Sequence, residues 1–68
     1  MISYKPLFHT LIEKDITLDD LLKNKVISAM TTAKFKKGES IMLSTAERIC
    51  NYLDCNIEDI VRFEKDKN

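Results

Sequence analysis

Few side chains in this sequence could carry out covalent chemistry. The single histidine, His9, has no acid or nucleophile at a motif spacing, and Ser28, Ser40 and Ser44 stand where helix caps or loops are expected. A catalytic site also needs a pocket of about 300 Å³ or more, which is large for so short a chain. We therefore expect no catalytic residue, no small-molecule substrate and no cofactor, and we interpret the chain as a non-enzyme.

The two cysteines are the other candidates for chemistry. Cys50 and Cys55 lie five residues apart, outside any CxxC pair, whereas a structural zinc site needs four cysteine or histidine ligands. No metal site is therefore expected. The sequence allows a disulfide between them, but Cys50 falls on the apolar stripe of a predicted helix, where a free cysteine behaves as a small hydrophobe. The pattern favours two reduced, packed thiols.

The segment "ISAMTTAKFKKGES", residues 27–40, combines a slim, uncharged start with three lysines just before the only glycine. Lysines at a helix C-terminus need no ligand, because each stabilises the helix by about 0.3–1 kcal/mol through the helix dipole. The alternative is functional, since a helix with short side chains at its N-terminal end fits a nucleic-acid groove. Met30 favours the functional interpretation, because it lies away from the side that Thr32 and Phe35 define as buried.

Charge is unevenly distributed although its sum is zero. Residues 1–38 hold seven lysines and four acids (+3), and residues 39–68 hold four basic residues and seven acids (−3), so the lysine-rich segment lies in the positive half. No apolar run reaches the roughly 20 residues of a membrane-spanning helix, and the N-terminus lacks a secretory signal. We expect a cytoplasmic protein that makes no contact with a membrane.

Five predicted helices position these residues. Their starts are marked by Pro6, Thr17, Ser28, Ser44 and, for a short fifth helix over "IEDIV", Asn56. The positions expected to face the core are Leu7, Phe8, Leu11, Ile12, Leu18, Leu21, Leu22, Ile27, Thr32, Phe35, Ala46, Ile49, Cys50 and Leu53.

The predicted boundaries describe one small domain. Asn24 is the expected left-handed residue after the second helix, and Gly38 is the expected stop of the third. Near the two ends, "ISY" and "VRF" alternate apolar and polar residues, which predicts a two-stranded ribbon. The domain is expected to span residues 1–63, followed by a flexible charged tail over residues 64–68.

The link between the second and third helices decides the architecture. Only "NKVI", residues 24–27, separates Lys23 from Ser28, and helices joined so tightly cross steeply instead of lying antiparallel. This is helix-turn-helix geometry. The predicted fold is therefore all-α, a five-helix repressor-like helix-turn-helix domain with a short ribbon joining its ends.

The run "ITLDDLLKNKVISAMTTAKFKKGE", residues 16–39, resembles the helix-turn-helix of the phage repressor and Cro-like (XRE-type) regulators. With "TTAKFKKGE" followed by "RICNYLDCNIEDIV", it is most similar to a minimal, single-domain bacterial subgroup. The resemblance implies a sequence-specific DNA-binding transcriptional regulator, in the first instance a repressor, whose partner is double-stranded DNA. It also implies that the helix over residues 28–37 enters the major groove while the second helix crosses the phosphate backbone.

Matching positions to the family assigns roles within this surface. Residues at the slim end, together with one lysine, would point at base edges: Ala29, Met30 and Lys34. An apolar side chain can pack on a thymine methyl, and a lysine can donate to the O6 and N7 acceptors of guanine. The residues expected to contact or position phosphates are Ser28, Thr31, Lys36, Lys37, Lys23 and Lys25.

The chain departs from the family pattern in three places. Lys25 and Val26 occupy the turn where a glycine is usual, and Thr32 stands where an aliphatic core residue is expected. Leu18 takes the place of a hydrogen-bonding residue that would hold a phosphate.

The C-terminal half leaves two kinds of protein partner open. Arg48, Asn51, Tyr52 and Arg62 could form an interface patch, since Tyr and Arg are enriched in interfaces. Such a patch would serve a homodimer, as a palindromic operator requires, or a different protein, which would make the chain an antitoxin-like adaptor with weak or no DNA binding. Salt dependence separates the two, because only DNA binding weakens steeply with salt.

Overall fold

The computed structural model describes residues 1–65, in which four α-helices are followed by a single 3₁₀ turn and enclosed by a two-stranded sheet. The elements in chain order are β1 (Ile2–Ser3), α1 (Lys5–Lys14), α2 (Leu18–Lys23), α3 (Ala29–Lys37), α4 (Leu43–Leu53), the 3₁₀ turn (Ile57–Asp59) and β2 (Arg62–Phe63). None of the described helices is long and apolar enough to cross a membrane.

The five-helix prediction is wrong by one helix. The segment after Asn56 closes only the three-residue 3₁₀ turn, because Ile60 must be fully buried and the chain must then extend into β2. The Asn56 N–H donates to the Asp59 carboxylate at 3.0 Å, which completes the turn locally. The fold is a mostly helical helix-turn-helix domain with a small sheet.

The predicted ribbon is confirmed. β1 and β2 are antiparallel, with Ile2 opposite Phe63 and Ser3 opposite Arg62. The pairing continues one residue further, because Met1 and Glu64 exchange hydrogen bonds of 2.7 and 2.8 Å. Glu64 is the first residue of the predicted tail, and residues 66–68 of that tail lie outside the described residues.

Most of the predicted helix signals are confirmed. The Thr17 hydroxyl accepts from the Asp20 N–H at 3.1 Å, and the Asp20 carboxylate accepts from the Thr17 N–H at 2.9 Å, a complete capping box. Pro6 lies in the first turn of α1, and Gly38 ends α3 with φ of +73°. α4 begins one residue before the predicted Ser44 cap, with Met42 at the cap position and no side-chain cap.

The left-handed residue after α2 is Lys25, at φ +61°, and the prediction of Asn24 is wrong. Asn24 instead has φ −87° and ψ 8°, outside the left-handed region, and donates its side-chain amide to the Asp20 carbonyl at 2.8 Å. The chain then reverses at Lys25, whose N–H bonds the Leu22 carbonyl at 3.1 Å.

The core lies where the helices meet beneath the ribbon. Its buried members are Tyr4, Leu7, Leu11, Leu21, Val26, Ile27, Phe35, Ala46, Ile49, Leu53 and Ile60. Tyr4 and Phe35 pack edge to face with ring centroids 4.8 Å apart, which ties the junction between β1 and α1 to α3.

Of the positions predicted to face the core, Ile12 is exposed, and five are only partly buried: Phe8, Leu18, Leu22, Thr32 and Cys50. Ile12 is 78% exposed, because α1 turns Thr10 inward beside Leu7 and Leu11, and the Thr10 hydroxyl donates to the Asp59 carbonyl at 2.6 Å. Thr32 is only half-buried and donates its hydroxyl to the Ser28 carbonyl at 3.3 Å.

Candidate nucleic-acid interface

The turn before α3 holds this helix against the body by its apolar residues. Val26 and Ile27 are both buried, and Phe35 anchors the last turn of α3 in the core. Only residues 24–28 separate α2 from α3. Since the buried side of α3 is narrow, much of the rest of the helix is left for a ligand.

The N-terminal end of α3 is slim, exposed and free of acidic side chains. Ala29 is exposed and Met30 is 70% exposed, although a methionine at helical spacing is usually in the core. The Ser28 hydroxyl accepts from the Thr31 N–H at 3.2 Å and lies 3.1 Å from the Thr31 hydroxyl. These bonds use the third amide of the helix, so the amides of Ala29 and Met30 are the ones available to an anion.

The C-terminal end of α3 carries Lys34, Lys36 and Lys37. Lys36 and Lys37 are exposed, and Lys34 is half-buried. Within residues 1–65, none of the three has a carboxylate within 4 Å, since the salt bridges there join other residues. Their charge is therefore not neutralised by the described part of the chain.

The two other predicted phosphate contacts lie before α3. Lys25 is exposed at the left-handed corner of the turn. Lys23 already pairs with Asp19 across one helical turn, Nζ to carboxylate oxygen 3.1 Å, and both side chains are largely solvated. An exposed pair of this kind contributes little to stability, so Lys23 can exchange its partner at low cost.

A groove of about 280 Å³ runs between α3 and the start of α4, and we call it the α3–α4 groove. Its walls bring the predicted residues Ser28, Met30, Thr31 and Lys34 together. The residues that complete it are Ile27, Ile41, Met42, Thr45 and Arg48. Ala29, Lys36 and Lys37 lie outside the groove on the exposed remainder of the helix.

The sequence did not predict Arg48 and Thr45 on this surface: Arg48 was assigned to a patch for a protein partner, and Thr45 was given no role. Arg48 donates to the Val26 carbonyl at 3.5 Å, which places its guanidinium beside the turn of the helix-turn-helix. The signal was their spacing, since positions 45 and 48 share one face at the start of the helix that follows α3. Arg62, which the sequence grouped with Arg48, instead pairs with Glu64 at 2.9 Å on the ribbon.

The two cysteines are free, as predicted, and both are partly buried. Burial raises the pKa of the Cys50 thiol and, together with the neighbouring Cys50, raises the pKa of Cys55 to about 11. Thiols with raised pKa values are poor nucleophiles near neutral pH. Within residues 1–65, no three His, Cys, Asp or Glu side chains come together in a way that could hold a metal ion.

The fold and this exposed basic helix define a helix-turn-helix domain, and comparison with known proteins agrees. Residues 7–66 match the model of the Cro/C1-type HTH DNA-binding domain, so the chain belongs to this family. The crystal structure of the transcriptional regulator VanUg, form II, is similar with a TM-score of 0.83 and 34% sequence identity, over 90% of this chain and 81% of that one. No match was found among curated proteins.

Proposed function

We propose that this chain is a sequence-specific DNA-binding transcriptional regulator that inserts the helix over residues 28–37 into the major groove. The observation that carries the proposal is the surface of α3, whose tip is slim and exposed at Ala29 and Met30 and whose rear holds lysines without carboxylate partners among residues 1–65. A major groove about 12 Å wide admits such a helix. Membership of the Cro/C1-type family and the likeness to VanUg support the same function.

Base reading is assigned to Ala29, Met30 and Lys34. Ala29 and Met30 offer apolar contact to thymine methyl groups, and Lys34 offers a donor to guanine O6 and N7. Lys34 lines the α3–α4 groove one turn after Met30, so both reach the same stretch of the duplex.

Phosphate contacts hold the helix in register. The free amides beside Ser28, with the Thr31 hydroxyl, suit a phosphate at the helix N-terminus, and Lys36 and Lys37 suit phosphates flanking the groove. Lys23 and Lys25 extend the contact along the backbone. Arg48 and Thr45 add a second wall from α4, since they face α3 across the groove.

A repressor of this size would act by occupying its site as a homodimer. Two copies place two recognition helices on one face of the DNA, and half-sites one turn apart require these helices to be about 34 Å apart. Because the ligand is chromosomal or phage DNA, the site of action would be the cytoplasm.

Selection from a random duplex pool tests the proposal. We expect a palindromic sequence to be enriched and its affinity to fall linearly with the logarithm of salt concentration, with a slope near −0.9 for each phosphate neutralised. Failure to enrich any sequence, with no salt-sensitive binding to duplex DNA, would contradict the proposal. That result would favour an antitoxin-like adaptor that binds another protein through the same scaffold.

A further inference from the structure

The outer edge of β2 has no strand beside it within residues 1–65. Met1 and Glu64 exchange two backbone hydrogen bonds across the ribbon. The neighbouring residue, Phe63, therefore points its own N–H and C=O away from β1. The edge therefore presents one donor and one acceptor from a single residue.

Apolar side chains surround this edge. Phe63 and Leu43 are each 82% exposed and Ile57 is 46% exposed, which is high for large apolar side chains that lie close together. All three line a cleft of about 210 Å³ between β2, the start of α4 and the 3₁₀ turn, which we call the ribbon cleft. Contiguous exposed apolar surface of this kind marks an interaction site.

The charges beside Phe63 indicate which partner fits. If a second β2 pairs antiparallel about a two-fold axis through Phe63, Phe63 lies opposite Phe63 of the partner subunit, and their N–H and C=O groups satisfy each other. In that register Arg62 lies opposite Glu64 of the partner subunit, and Glu64 lies opposite Arg62 of the partner subunit. Opposite charges face each other twice, so the edge is complementary to itself.

We propose that the ribbon cleft and the edge of β2 form the homodimer interface, with a second copy of this chain as the occupant. The two ribbons join into a four-stranded antiparallel sheet, and the paired Phe63 rings cover the exposed Leu43 and Ile57. The inference deepens the proposed function and rests on it for its purpose, which is to present two recognition helices to one duplex.

Charge reversal tests the interface in the full chain without DNA. In Arg62→Glu both positions beside Phe63 become acidic, and in Glu64→Arg both become basic. Each variant alone then faces like charges across the two-fold axis, and its dimer dissociation constant should rise about tenfold in sedimentation equilibrium. An equal mixture of the two variants should form heterodimers at least as tightly as the parent forms homodimers.

Recovery in the mixture cannot come from the Arg62–Glu64 pair within one chain, because each variant has lost that pair. If the two variants dimerise as the parent does, or the mixture gains nothing over either variant, the proposed interface is wrong. A parent that stays monomeric up to about 1 mM overturns it as well.

A matched pair of apolar variants gives a second test. Phe63→Ser should weaken the dimer at least as much as either charge reversal, whereas Ile12→Ser, at a residue 78% exposed on α1, should leave it unchanged. Equal effects of the two substitutions would overturn the proposal, and thermal melts show whether both variants fold. Salt-sensitive binding to a single half-site, measured separately, distinguishes failure of this interface from failure of the proposed function.

Discussion

At the scale of the residue, position on α3 matters more than residue type. Lys34 and Lys36 are two positions apart, yet Lys34 is half-buried in the α3–α4 groove while Lys36 is exposed near the helix end. In the proposed docking, a side chain in the groove meets base edges and one near the helix end meets phosphates. The two lysines therefore have different consequences for specificity.

Lys34→Ala should weaken binding to the selected site by about 1–3 kcal/mol and relax preference at one base pair. Lys36→Ala is the matched control, because it removes the same charge from the same helix. It should weaken all sequences alike and lower the salt slope by about one. Fluorescence anisotropy on the selected duplex and its single-base variants measures both effects, and parent-like discrimination by Lys34→Ala would remove Lys34 from the base readers.

Arg48→Ala tests the arginine that the structure places beside α3. Loss of a phosphate contact should weaken binding to every duplex and lower the salt slope by about one, without changing base preference. Arg62→Ala, which removes an arginine from the ribbon, is the control and should leave the binding of a single half-site unchanged. If Arg48→Ala changes only the thermal melt and not the salt slope, its role is to tie α4 to the Val26 carbonyl.

At the scale of the element, caps and corners decide where the helices begin and end. Thr17 and Asp20 close the start of α2, Ser28 starts α3 and Gly38 ends it, all as their residue types predict. The corner between α2 and α3 could not be predicted from local preference. Asn24 is the better left-handed residue in isolation, but the buried Val26 and Ile27 set where the reversal must fall, and it falls on Lys25.

Lys25→Gly should stabilise the fold by about 0.5–1 kcal/mol. A non-glycine residue in the left-handed region costs about 1–2 kcal/mol, and the greater freedom of glycine in the unfolded chain offsets part of the gain. Lys25→Ala removes the same charge but keeps the strained Cβ, so it should give no such gain. Urea denaturation measures the free energy of unfolding of both variants, and equal values for Lys25→Gly and Lys25→Ala would show that Lys25 is not strained.

The capping box of α2 predicts a dependence of stability on pH. Hydrogen bonds from the Thr17 N–H and hydroxyl hold the pKa of the Asp20 carboxyl below its usual value. A lowered pKa in the folded state means that the stabilisation is present above the unfolded pKa and is lost as pH falls through the folded one. Asp20→Asn should therefore lose less stability than the parent between pH 5 and pH 2, measured by urea denaturation at each pH.

A variant that keeps the Asp20 carboxylate but removes the Thr17 hydroxyl tests whether this hydroxyl lowers the pKa of Asp20. In Thr17→Ala the pKa of Asp20 should rise towards its ordinary value, because a hydrogen bond to the ionised form is gone. Carboxyl chemical shifts across an NMR titration report this pKa. An unchanged pKa in Thr17→Ala would assign the shift to the backbone bond or to Lys23.

At the scale of the whole molecule, the sequence predicts the scaffold better than the surfaces that it presents. Helix periodicity, caps and the short link over residues 24–27 predicted the helix-turn-helix, because these depend on local spacing, and the alternation of apolar and polar residues near the two ends predicted the ribbon. The prediction of a fifth helix is wrong because Ile60 is buried, and its burial makes the chain leave the 3₁₀ turn and extend into β2. The sequence assigned Arg48 to a protein-partner patch and Phe63 only to the ribbon, since the roles proposed for them depend on the packing of α4 against α3 and on the free edge of the ribbon.

The proposed regulator binds DNA by inserting α3 into the major groove, and the methyl group of Met30 reports on that insertion directly. With ¹³C-labelled methionine methyl groups and the selected duplex, we expect the Met30 methyl resonance to shift at saturation. We also expect nuclear Overhauser contacts from this methyl group to thymine methyl or base-edge protons. A Met30 resonance that stays unchanged while the duplex is bound would contradict the account, because DNA would then occupy another surface of the chain.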